Sequence, residues 1–158
     1  AAETLPTAGG TVLYIPSVGC TAPEEDPVFQ EFERAVAAQN GMTVRLSAEI
    51  RQLREQLPGL LRGTECPRAA FVQDNETAVE LLHLLRREGL RVPEDIAVIG
   101  FDGTELAEVV SPQLTTVEQP SRAIGRTAVE LLMKRIDDPD AAVERVMMDW
   151  RVIARVSA

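Results

Sequence analysis

The chain has 158 residues, 45% of them hydrophobic and 26% charged, with a formal net charge of −9. That length fits one soluble domain with a real core, and no apolar run approaches the roughly 20 residues a membrane span needs. A surface this acidic repels phosphate backbones, so the chain does not bind DNA or RNA unaided.

Strand and helix signals then alternate. Thr11–Ile15 is a β-rich run stopped by Pro16, and residues 17–26 form a loop. Asp26 and Pro27 open a helix with Phe29, Phe32 and Val36 on one face, ended by Gly41. Met42–Leu46 is a short strand. Ser47 caps the next helix, whose Ile50, Leu53, Leu57 and Leu60 recur at helical spacing, with a kink expected at Pro58. Ala69–Val72 is a third strand. Asp74 or Asn75 caps a leucine-rich helix closed by Gly89. Ile96–Ile99 is continuous and apolar, as strands buried on both faces of a parallel sheet are. Leu114–Val117 is a fifth strand, Pro120 or Ser121 opens a helix through Ile136, and residues 137–140 turn. Val143–Met148 and Trp150–Val156 read as final strands. The order predicts an α/β fold with a doubly wound parallel sheet.

In such sheets ligands bind beyond the carboxyl ends of the strands. Asp74, Asp102 and Gln119 fall there, and their carboxylates and amide suit hydroxyls of a polar small molecule. Each has a plainer reading too: Asp74 as a helix cap, Asp102 as a turn former, Gln119 as a solvated side chain. Nothing in the pattern points to an enzyme, a cofactor or a metal. No nucleophile has a visible base, no glycine-rich phosphate loop follows a strand, and His83 is the lone histidine. Cys20 and Cys66 match no metal spacing and read as reduced thiols.

The block Arg91–Asp102 (RVPEDIAVIGFD), followed by Pro112–Pro120 (PQLTTVEQP), Gly125, Ala128–Leu132 and the closing Arg155 and Ser157, resembles the effector-binding region of the LacI/GalR family of bacterial transcription regulators. The resemblance implies two α/β lobes of the periplasmic-binding-protein-like type I fold, with an effector, commonly a sugar or a purine, held between them. It also implies a helix-turn-helix upstream through which alone DNA is bound, a cytoplasmic location and no membrane contact. Read this way, residues 1–158 are a truncated effector-binding region. Residues 10–113 and 143–158 belong to the C-terminal lobe, and residues 114–136 cross toward the other lobe.

The same resemblance places Asp102, Asp74, Gln119, Ser121, Val28 and Phe32 at the effector. Val28 and Glu31 stand where family members carry an arginine and a glycine. Loss of that guanidinium fork, with a gained acid at Asp74, turns the expectation from a plain sugar toward a cationic or less polar ligand. A homodimer is implied through Leu81, Leu82 and Leu85 on one helix and Val109 and Val110 in the segment after it. The stripe Ile124, Ala128, Leu131, Leu132 and Ile136 is expected to dock on its own lobe or on a second copy. A periplasmic sugar receptor of a transporter is the competing reading.

Overall fold

A computed structural model describes residues 10–39, 42–47, 50–63 and 66–158. Six strands form one sheet: β1 (Gly10–Ile15), β2 (Met42–Leu46), β3 (Pro67–Val72), β4 (Ala97–Asp102), β5 (Thr115–Glu118) and β6 (Arg151–Ile153). Their order is β2-β1-β3-β4-β5-β6. The first five run parallel, and β6 lies antiparallel on β5 with Val117 opposite Val152. The doubly wound sheet predicted from the alternation of elements is therefore present, with one antiparallel edge.

Alternation along the strands sends side chains to two faces. Leu13, Ile15, Ala70, Val72 and Val98 meet helices α2 (Ile50–Arg62) and α3 (Asn75–Arg87) and the short α4 (Leu106–Val109). Val12, Ala69 and Ala97 face the other way and join Val36 of α1 (Pro27–Ala37). Burial of both faces explains why β1 and β4 lack an alternating polar pattern. The expected caps form. Asp26 Oδ1 accepts from the Val28 amide at 2.8 Å, and Asp74 Oδ1 accepts from the Thr77 amide at 2.6 Å. Gly89 ends α3 at φ +79, a backbone that favours glycine. The Gly41 stop, and residues 48–49 across which Ser47 would cap α2, lie outside the described residues.

Three expectations need correction. Val143–Met148 is not a strand, because β5 is only four residues long and offers pairing to Arg151–Ile153 alone. The loop at 17–26 contains a 3-10 turn at Pro23–Glu25, and α4 was not read from the sequence. Helix α5 (Ser121–Asp137) does not dock on its own lobe: all its residues are described and none is buried. Ile124, in its first turn, walls a hollow with Phe101 and Val117 and remains 38% exposed.

The C-terminal tail has a role the sequence did not disclose. Ser157 Oγ donates to the Val98 carbonyl at 2.6 Å and accepts from the Thr115 amide at 2.8 Å. Arg155 Nη1 donates to the Leu114 carbonyl at 2.9 Å. The tail thereby ties β4 to β5 at their amino ends. Ser157→Ala leaves two buried backbone groups short of a partner and is expected to cost about 2 kcal/mol, read from the urea midpoint.

Candidate functional site

The carboxyl ends of β1, β3, β4 and β5 form one rim. At the end of β1, the Ser17 amide donates to Gln73 Oε1 at 3.1 Å, and Gln73 Nε2 in turn donates to Asp26 Oδ2. This locks the loop before α1 to the end of β3. Asn75, 1% exposed, bridges the next pair: its Nδ2 donates to Thr104 Oγ1 at 3.1 Å and its Oδ1 accepts from Thr116 Oγ1 at 2.9 Å. Thr116 also accepts from the Gly103 amide at 3.3 Å. The β4–α4 turn is thus held from the start of α3 and from β5, and Asp102 is aimed by it.

Asp102 sits at φ 96, a left-handed backbone that costs a non-glycine residue free energy. Such outliers gather at functional positions. Gln119 Nε2 donates to its Oδ1 at 3.3 Å. Partial burial raises the Asp102 pKa above its ordinary 3.8, the Asp74 charge adds to the rise, and the Gln119 bond opposes it.

Because the folded state holds this proton more tightly than the unfolded chain, Asp102 favours folding most below about pH 3.8, and that contribution is lost as pH rises through the folded pKa. The stability of Asp102→Asn relative to the parent is therefore expected to rise between about pH 3 and pH 7, in parallel urea titrations.

Three hollows adjoin this rim. One of about 690 Å³ is lined by Asp102, Gln119, Ser121 and Trp150 among others. A second of about 480 Å³ lies between Ser17, Asp74 and Asp102. The third, about 310 Å³, is walled by Phe101, Val117, Ile124, Met148 and Trp150. Asp102 belongs to the first two, so the structure brings Asp74, Asp102, Gln119 and Ser121 together. Asp74 is also the cap of α3, with both of its oxygens engaged by Thr77, so its two readings are both true.

Val28 and Phe32 line none of these hollows. Val28 is exposed on the first turn of α1. Phe32 packs on Tyr14 and Phe71, with ring centroids 5.3 and 4.9 Å apart. The sequence places Gln73 and Asn75 beside Asp74 at the ligand end of the sheet without giving them a role, and Thr104 and Thr116 were missed; these four residues aim the site. Their signal was present as polar residues beside strand ends, without any pattern to single them out.

The expected dimer residues separate. Leu81, Leu82 and Leu85 are buried in this chain's own core, so they offer no surface to a second copy. Val110 is half-buried against that core, while Val109 is 78% exposed. Among the described residues no His, Cys, Asp or Glu side chains gather to hold a metal, and no helix is long and apolar enough to cross a membrane.

Residues 12–158 match the family described as periplasmic binding protein-like domain. The chain belongs to that family. Among its relatives is the HTH-type transcriptional repressor PurR of Vibrio atlanticus, 50% identical over 76 residues, which are 48% of this chain and 23% of the relative. The PurR of Aliivibrio salmonicida is 44% identical over 98 residues, 62% of this chain and 29% of the relative. A LacI family transcriptional regulator from Arthrobacter sp. FB24 superimposes with a TM-score of 0.75 at 26% identity, covering 99% of this chain and 58% of that one. The same regulator in complex with lactose gives a TM-score of 0.73 at 25% identity over 99% of this chain and 59% of that one. The chain thus spans about a quarter of the length of these curated relatives. The LacI/GalR resemblance read from Arg91–Pro120 is borne out. Within this periplasmic-binding-protein-like domain, the rim around Asp102 lies at the carboxyl ends of the parallel strands.

Proposed function

We propose that this chain is the effector-sensing part of a LacI-type transcriptional regulator, and that Asp102, Asp74, Gln119 and Ser121 form its wall of the effector cleft. The observation that carries this reading is Asp102. It stands on a strained backbone at the end of β4, is aimed by the buried Asn75–Thr116 bridge, and meets Gln119 from the crossing segment. One group from each side of that hollow lets a ligand sense how the crossing segment is set against the sheet. A ligand that binds one setting better than the other shifts the equilibrium between them by its difference in affinity. In a regulator that difference becomes a change in DNA affinity at a distant module.

The relatives named as repressors and regulators support this reading over a transport receptor. A cytoplasmic location follows from the same reading, as does pairing of two copies through the exposed surface around Val109. The lactose complex of the Arthrobacter regulator supports a small polar metabolite as the ligand class. The test is a metabolite screen by thermal shift on the chain, repeated with Asp102→Ala. A hit whose shift disappears in the variant supports the proposal. Hits that are indifferent to Asp102, or no hit across the screen, overturn it.

A further inference from the structure

Resting on that reading of the cleft, we propose that its ligand is an organic cation, a protonated amine carried on an apolar or ring body. The argument begins with what the rim offers. The hollow between Ser17, Asp74 and Asp102 is lined by no arginine, lysine or histidine, and Glu76 adds a further carboxylate. The larger hollow beside it adds Glu105 and Asp149, and its two cations are Arg122 and Arg151. Arg151 is paired with Glu118. Arg122 is thus left against a ring of acids.

A ligand carboxylate or phosphate entering this space meets like charge on most sides, while an ammonium group meets acceptors. The field of such a wall concentrates cations before contact. Asp102 Oδ2 has no partner among the described residues, so one charged acceptor at the centre of the rim is free to receive a donor. Its pKa is held up by burial and by Asp74, a setting that a neighbouring positive charge relieves.

The body of the ligand is indicated by the third hollow. It shares Gln119, Pro120 and Trp150 with the largest one and is otherwise walled by Phe101, Val117, Ile124 and Met148. At about 310 Å³ it takes a ring or a short apolar chain. Trp150, 66% exposed, offers an indole beside the acidic rim, the surface on which a cation gains most.

The test compares matched probes that differ only in charge: phenethylamine, phenethyl alcohol and phenylacetate, titrated into the 15N-labelled chain. The amine is expected to shift the Gly103 and Gln119 amide signals with an affinity about fivefold or more above the alcohol, with no saturable shift from phenylacetate. Asp102→Asn is expected to abolish the preference for the amine. Glu105→Gln, an exposed change beside the same hollow, is expected to reduce it partly and serves if Asp102→Asn does not fold. Equal binding of amine and alcohol, tighter binding of phenylacetate, or no shift at the rim with any probe overturns the cationic ligand. A neutral or anionic hit in the Asp102-dependent metabolite screen then leaves the effector reading standing on its own.

Discussion

Replacing Gly100 with alanine is expected to lower the stability of the fold by about 3 kcal/mol, combining the cost of overpacking with that of a damaged buried hydrogen-bond bridge. An added Cβ there would lie 2.3 Å from Asn75 Oδ1 and 2.8 Å from Leu114 Cδ2. Neither neighbour has room to retreat. Leu114 is fully buried in the core, and Asn75 is fixed on one side by Thr104 and on the other by Thr116. Moving Asn75 leaves the buried Thr116 hydroxyl without its acceptor. The damage therefore reaches the rim, because the same threonine holds the Gly103 amide that follows Asp102. Urea unfolding measures the first effect, and the affinity of any screened ligand measures the second. Gly59→Ala is the control: an added Cβ within α2 meets nothing within 4 Å. It is expected to gain up to about 1 kcal/mol from the lower chain entropy of alanine. Equal losses from both substitutions would place the cost in the backbone and not at the Asn75 bridge.

What could be read in the sequence follows from where information is local. The Asp26 and Asp74 caps, the Gly89 stop and the apolar run at β4 are decided within a few residues, and each was legible. So was the rim, because alternating strands and helices fix which loops share the carboxyl end of a parallel sheet. The Asn75–Thr116 bridge joins residues 41 apart, and the Ser157 clamp reaches 59 residues back to Val98. Neither leaves a periodic trace. Val143–Met148 has strand-like composition without a strand to pair with, so propensity alone misled. The stripe on α5 was legible as apolar, yet its burial depends on a partner that composition does not name. Phe32 was assigned to the ligand by family resemblance; its packing on Tyr14 and Phe71 joins three separate elements and left no local trace in the sequence.

The leucines of α3 give the second large expected effect, and they show how core and interface are told apart. Leu81→Ala is expected to cost about 3–4 kcal/mol, the range for emptying a closed core site. Leu81 is 0% exposed and sits in the cluster that also holds Leu53, Leu85, Val98 and Leu114. Both α2 and the sheet press on that cluster, so little collapse into the space is available. Val109→Asp should behave in the opposite way. Its side chain is exposed at the last position of α4, so the charge stays hydrated and the stability of the single chain is unchanged within about 0.5 kcal/mol. If two copies meet around Val109, that charge is buried on association without a partner, and dimerisation weakens by tenfold or more, an energy of about 1.4 kcal/mol. Sedimentation at several concentrations separates the two. Leu81→Ala shifts the urea midpoint at every concentration, whereas Val109→Asp alters only the concentration dependence. A Val109→Asp protein that associates as the parent does would remove this surface from the pairing face and leave the exposed stripe of α5 as the place to look.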